Sequence, residues 1–162
     1  MNPLTTRKLM TTSMAAALIF LGTFVLKIPI ITGYIHLGDG VILALSAVMG
    51  PSAILAAAIG SALCDILSGY AMYALPTAII KGLMAFVIIY LPLKKCKYVL
   101  IAKFVIAELL MAMLYFITDM VLSSFATALG ALPMNLLQAA GGVLVGFLLH
   151  IAFQKVNLKK YL

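Results

Sequence analysis

The chain has 162 residues, of which 65% are apolar and 9% are charged, with a net charge of +7 from 11 Lys and Arg against 4 Asp and Glu. An ordinary soluble domain is about 45–50% apolar and about 25% charged, and a domain of this size still exposes about a third of its chain surface, so the composition excludes a soluble protein. Membrane spans of about 20 residues would use most of the chain, which excludes a separate ATPase domain within it. No G-x-x-x-x-G-K-S/T loop is present to bind a nucleotide.

The apolar runs predict an all-α integral membrane protein, with residues 1–162 forming one domain of six transmembrane helices. The first run, about 9–28, follows a basic start but ends without a small-x-small cleavage site, so we interpret it as a retained span. A loop over 29–40 follows it. The next run, 41–67, is interrupted at Gly50-Pro51, where proline favours a turn, and it predicts a tight hairpin of two short helices, about 39–49 and 52–68.

Three longer runs predict the remaining spans, at about 75–93, 98–122 and 134–156, with a loop over 123–133 before the last. With the N-terminus inside, the basic residues concentrate on the inner side, whereas Lys27 is outside and Lys81 lies within the fourth span. This positive-inside bias predicts cytoplasmic termini in a bacterial plasma membrane. The inner basic residues are Arg7, Lys8, Lys94, Lys95, Lys97, Lys103, Lys155, Lys159 and Lys160.

Many of the polar residues gather near the outer ends of the predicted spans. An ionisable group inside a membrane is costly and usually faces a partner, a cavity or a pathway, so the sequence predicts a polar cavity open to the outside. The two cysteines, Cys64 and Cys96, have no metal-ligand spacing, and we expect no metal, cofactor or catalytic residue. The candidate substrate-binding residues are Tyr34, His36, Asp39, Asp65, Tyr70, Lys81, Asp119, Asn135 and Gln138.

Some of these residues have an equally simple structural interpretation. Asp65 and Lys81 lie at similar depth on adjacent helices and would suit an ion pair. Asp39 and Asn135 stand near predicted helix starts, where short polar side chains cap the backbone. Each of the four is therefore open to a ligand-binding or a purely structural role.

The other outer residues also leave alternatives open. His36 is in a Gly-rich loop and would equally be a solvated histidine, and Asp119 would equally cap or snorkel at the interface. Tyr70 and Tyr73 suit an interfacial aromatic belt as well as a ligand site. Two ionisable residues on the inner half are predicted to make helix or partner contacts: Glu108 and His150.

The cytoplasmic half of the first span is rich in small residues at four-residue spacing, including the pair Ser13 and Ala17. Such faces allow helices to approach closely in lipid. We predict a partner-docking face formed by Ser13, Ala16 and Ala17. Similar pairs in the third and sixth spans are predicted to pack within the chain.

Three segments, GYIHLGDG (33–40), MGPSAILAAAIGSALCDILSGY (49–70) and PTAIIKGLMAF (76–86), resemble the substrate-binding S components of energy-coupling factor (ECF) transporters, in the broad riboflavin-transporter-like branch. The resemblance implies capture of a micronutrient from outside and docking on a transmembrane coupling protein and two ATP-binding-cassette ATPases. It also implies an A-x-x-x-A-type docking face on helix 1, which here reads Ser13-x-x-x-Ala17.

The predicted function is therefore substrate binding for import rather than catalysis. The absence of Trp disfavours a thiamine-type stacking site, while the acids and a lysine favour a pyridoxine-like or hydroxymethylpyrimidine-like compound, with riboflavin and pantothenate as alternatives. Two other classes compete: a self-sufficient small carrier or channel, and a membrane-embedded enzyme, for which the sequence offers no recognisable constellation of catalytic residues.

Overall fold

The structure is a computed structural model that describes residues 3–25, 27–29, 34–93 and 98–156. Within these ranges the chain forms six α-helices and one short antiparallel ribbon. A single 3₁₀ turn, Ala71–Tyr73, precedes the fourth helix. In chain order the elements are α1 (Pro3–Phe24), β1 (Lys27–Pro29), β2 (Tyr34–His36), α2 (Gly38–Met49), α3 (Ser52–Leu67), α4 (Ala74–Tyr90), α5 (Val99–Leu122) and α6 (Phe125–Lys155).

Three helical segments are long and apolar enough to cross a membrane: Ala71–Tyr90, Val99–Leu122 and Phe125–Lys155. The helices α2 and α3 are also apolar but have only 12 and 16 residues, fewer than the about 20 that a span ordinarily needs. The helix α1 has 22 residues and is not among these three. The predicted all-helical membrane fold is confirmed, and the count of six spans stays a prediction.

The short helix α2 lies at the centre of the bundle, where α1, α4 and α6 pack around it. Its residues 42–46 are all buried, and Leu43 joins Met84, Phe104 and Met111 in one apolar core. The outward faces of the other helices carry exposed apolar side chains, as expected for lipid contact. A helix too short to span on its own is thus covered by its neighbours.

Small residues bring pairs of helices close together, as predicted for the third and sixth spans. A Cβ on Gly60 of α3 would lie 2.5 Å from the carbonyl oxygen of Ala16 in α1, and one on Gly146 of α6 would lie 2.9 Å from Cβ of Leu43. The α1–α3 and α2–α6 interfaces therefore depend on the absence of a side chain at these two glycines.

Two predicted boundaries are wrong. The segment 123–133 is not a loop, because α6 begins at Phe125, where the Ser124 hydroxyl accepts a hydrogen bond from the Thr127 N–H at 3.2 Å. Pro133 lies inside this helix, where its lost hydrogen bond is tolerated because the turns before it and after it continue. Asn135 is consequently in mid-helix and does not cap it.

The predicted loop over 29–40 also contains regular structure. The strands β1 and β2 pair antiparallel, with Lys27 opposite His36 and Pro29 opposite Tyr34, so the first helix ends at Phe24 rather than near 28. The predicted break between α2 and α3 is confirmed, with a positive φ of 68° at Gly50, a conformation that glycine adopts without strain. The basic linker with Cys96 and the lysines after 156 lie outside the described residues.

Candidate substrate-binding site

A small polar cavity lies beside β2, at the end of the bundle where α3 ends and α4 begins. We call this the ribbon end, after the β1–β2 ribbon. Its volume is about 50 Å³, room for a few water molecules. Seven of the nine predicted residues line it, together with three that were not in the predicted set. The lining residues are Tyr34, His36, Asp65, Tyr70, Tyr73, Thr77, Tyr115, Asp119, Asn135 and Gln138.

The remaining two predicted residues, Asp39 and Lys81, form a buried ion pair next to the cavity rather than part of its wall. Lys81 Nζ and Asp39 Oδ1 lie 2.6 Å apart, and neither side chain is exposed. The amide of Gln138 donates to Asp39 Oδ2 at 2.6 Å, so the carboxylate is held by two helices besides its own. The alternative in which Lys81 pairs with Asp65 is wrong. Asp39 is an acidic residue in the first turn of α2, as one alternative predicted, and not its N-cap, which is Leu37.

The same network reaches the ribbon through Gln138 and His36. Gln138 Oε1 accepts a hydrogen bond from the backbone N–H of His36 at 3.1 Å. The His36 ring accepts at Nδ1 from the N–H of Gly38, also at 3.1 Å, so its proton is on Nε2. Burial lowers the pKa of His36 to about 4, and the ring is neutral at physiological pH. His36 is therefore a buried structural and cavity-lining residue rather than a solvated one.

Tyr34 and Asp65 form the second polar contact of the cavity. The Tyr34 hydroxyl donates to Asp65 Oδ1 at 2.6 Å and lies 3.4 Å from Cys64 Sγ. Burial, followed by the hydrogen bond to Asp65, raises the pKa of Tyr34 above its usual range, so the phenol keeps its proton and acts as the donor. Asp65 is 94% buried, and its orientation is set by a residue of the ribbon.

Two further hydrogen-bonded pairs line the cavity on the side of α4 and α5. The Tyr73 hydroxyl donates to Asp119 Oδ1 at 2.8 Å, and the hydroxyls of Thr77 and Tyr115 lie 2.9 Å apart. Tyr73 is buried, which excludes it from an interfacial aromatic belt. Asp119 is likewise buried at 2% exposure, so it does not snorkel into the interface.

Glu108 does not line the cavity but lies near the ion pair of Asp39 and Lys81. Its carboxylate is buried, packs against Gly142 of α6, and interacts with the charges of Asp39 and Lys81. Among the residues that the structure describes, neither of its oxygens has a hydrogen-bond partner. The predicted helix contact of Glu108 is thus confirmed, and His150 shares a hydrogen bond with Gln154 on its own helix.

The three additional lining residues follow a pattern that the sequence contains. Thr77 precedes Lys81 by four residues in α4 and Tyr115 precedes Asp119 by four residues in α5, so each pair shares one face of its helix. Tyr73 stands four residues before Thr77, at the end of the 3₁₀ turn. A polar stripe at this spacing would have placed Thr77 and Tyr115 in the candidate set. The prediction weighed Tyr73 as a loop residue, but within the fourth and fifth spans it weighed only charged residues.

A second feature lies on the side of the bundle, where an apolar groove of about 530 Å³ runs between α1 and α3. Ser13 and Ala17 are exposed there, while Ala16 is half-buried and packs its backbone against Gly60. The three predicted docking residues thus line one groove. The groove is formed by Leu9, Thr12, Ser13, Ala16, Ala17, Phe20, Leu55, Ile59, Leu63 and Leu67.

Comparison with known families agrees with this architecture. Residues 3–155 match the family described as ECF-type riboflavin transporter, S component. No curated protein matches the sequence closely enough to count as a relative. Since the family match covers nearly the whole chain, this protein belongs to the S components of ECF-type transporters, in the riboflavin-transporter family, and is a membrane component of vitamin uptake.

Proposed function

We propose that this chain is the substrate-binding component of an ATP-driven ECF importer in a bacterial plasma membrane. It crosses the membrane six times with both termini in the cytoplasm, and its cavity at the ribbon end opens to the outside. The observation that carries the proposal is the cavity itself, in which carboxylates, amides and tyrosines are buried at one end of an otherwise apolar bundle. Such groups inside a membrane usually face a partner, a cavity or a pathway, and these line a cavity.

The cargo is a small water-soluble vitamin or vitamer of the pyridoxine-like or hydroxymethylpyrimidine-like kind. The family description names riboflavin, but a cavity of about 50 Å³ must widen for any vitamin. A single-ring compound requires less displacement of the tyrosine walls than a three-ring flavin, and its polar substituents suit the mixture of acids and amides.

Transport itself requires partners: a transmembrane coupling protein and two ATP-binding-cassette ATPases, as S components of this family generally use. The apolar groove between α1 and α3 is the proposed docking surface for the coupling protein. Support comes from its exposed small residues, Ser13 and Ala17, which permit close helix approach, and from its lining, which shares no residue with the cavity.

The decisive experiment is mass spectrometry of the ligand that co-purifies with the chain in detergent. A bound vitamin or vitamer supports the proposal, whereas a chain that purifies empty and binds none of a panel of vitamins would contradict it.

Reconstitution of the chain alone in liposomes, with ligand outside and ATP inside, tests the partner requirement. We expect no ATP-dependent accumulation, and concentrative uptake by the chain alone would instead indicate a self-sufficient carrier.

A further inference from the structure

Asp65 is a cavity residue whose hydrogen bonding is incomplete. One oxygen, Oδ1, accepts from the Tyr34 hydroxyl at 2.6 Å. The other oxygen, Oδ2, is buried and has no hydrogen-bond partner within the described part of the chain. The Thr77 hydroxyl interacts with the Asp65 carboxylate but makes no hydrogen bond to Oδ2, and it also lies 2.9 Å from the Tyr115 hydroxyl. A buried acceptor without a donor is destabilising, so this oxygen can accept a hydrogen bond that the described residues do not supply.

The buried charged groups around the cavity include more acids than bases. All 4 acidic residues of the chain are buried, and Lys81, which is the only fully buried lysine in the described ranges, is committed to Asp39. Lys27 does not line the cavity and donates to Ser68 at 2.8 Å, and His36 is neutral. In the described structure no cation pairs with Asp65.

Aromatic rings complete the surroundings of this carboxylate. The cavity is lined by four tyrosines, and the rings of Tyr34 and Tyr70 lie 5.4 Å apart at a tilt of 54°. The faces of such rings attract cations, most strongly where water is excluded. Lysine ammonium groups already lie 5.6 Å from the centroid of Tyr34 and 5.1 Å from that of Tyr115, which leaves Tyr70 and Tyr73 for a ligand. A carboxylate with one open oxygen beside tyrosine rings is a suitable site for a positively charged nitrogen on a small molecule.

We propose that the ligand of this cavity carries an ammonium group, which donates a hydrogen bond to Oδ2 of Asp65. This inference rests on the proposed function, since it takes the cavity to be the substrate site. It narrows the cargo to cationic vitamers that carry an amine and disfavours uncharged and anionic vitamins.

The test compares probes that share one ring and differ in charge: pyridoxamine, which is cationic, pyridoxine, which has no net charge, and 4-pyridoxate, which is anionic. Calorimetric titration of the detergent-purified chain should give affinities in that order. In Asp65→Asn, which keeps the acceptor for Tyr34, the affinity for pyridoxamine should fall by about 10- to 150-fold, the value of one charged hydrogen bond. The affinity for pyridoxine should change much less.

Ser61→Ala is the matched control, because Ser61 is buried one turn earlier on α3 and does not line the cavity. It should leave the order and the affinities unchanged. If Asp65→Asn does not fold, the order of the probes on the unaltered chain still decides the question. Tighter binding of pyridoxine or 4-pyridoxate, equal losses for all probes in Asp65→Asn, or binding of riboflavin alone would overturn the proposal while leaving the proposed function intact. A chain that binds no vitamin at all would overturn both.

Discussion

The Nζ of Lys81 and the Oδ1 of Asp39 lie 2.6 Å apart, and neither side chain has exposed surface. Because Gln138 also donates to Asp39, this pair joins α2, α4 and α6 directly next to the cavity. A buried pair gains little over apolar residues of the same shape, but removing one partner leaves an uncompensated charge. Lys81 and Asp39 therefore have a structural role: they hold together the helices that surround the cavity.

Removing either member of this pair should destabilise the protein strongly. We expect Lys81→Met or Asp39→Asn to lower the free energy of unfolding by about 3–5 kcal/mol, measured by thermal melting in detergent. The double variant should lose less than the sum of the two single losses, because the second change removes the charge that the first left unpaired. Lys103→Met is the control, since that lysine is only half-buried and donates to the carbonyl of Ile88. Strictly additive losses would show that the pair is not coupled.

Gly142 should not accept a side chain while Glu108 is present. A Cβ at this position would clash with the Glu108 carboxylate and lie 3.3 Å from Cβ of Asp39, so Gly142→Ala should cost about 1–3 kcal/mol. Combining it with Glu108→Ala should recover part of the loss, because the obstructing carboxylate is then absent. Gly141→Ala meets no atom within 4 Å and should be neutral or stabilising. Equal melting temperatures for the two alanine variants would contradict the close contact.

Filling the groove between α1 and α3 should affect assembly and not ligand binding. Ala17→Leu adds bulk to an exposed groove residue, so we expect normal vitamin binding but reduced co-purification with the coupling protein and ATPases. Ala140→Leu makes the same change at an exposed position of α6 that does not line the groove. Full assembly of the Ala17→Leu variant would argue against docking at this surface.

Acid should destabilise the protein through His36. Its pKa is about 4 in the folded chain and 6.5 in the reference state, so between these values the unfolded chain binds more protons, and stability falls as pH is lowered through that window. The contribution is up to about 3 kcal/mol. His36→Asn, which offers an amide oxygen as an acceptor for the N–H of Gly38, should melt with a smaller change between pH 7 and pH 4. An equally steep pH dependence in both proteins would assign the effect to other groups.

Much of the helical layout was determined by the sequence alone. The apolar runs located α2 to α5 to within a few residues, and Gly50-Pro51 marked the turn between α2 and α3, because proline removes a backbone donor and glycine accepts a positive φ. The same reasoning failed at Pro133. There the helix start is set by the Ser124 cap, and a single proline is tolerated inside a helix of 31 residues.

The partners of the buried charges were decided only by the tertiary structure. Depth along the spans placed Asp39, Asp65 and Lys81 near one another, but depth does not specify which face of a helix a side chain occupies. The close packing of α2 and α4 directs Lys81 to Asp39, while the β1–β2 ribbon brings Tyr34 over α3 to orient Asp65. Sequence hydrophobicity thus determines which segments enter the membrane, whereas the pairing of polar groups depends on helix rotation and on a ribbon too short to be recognised from its pattern.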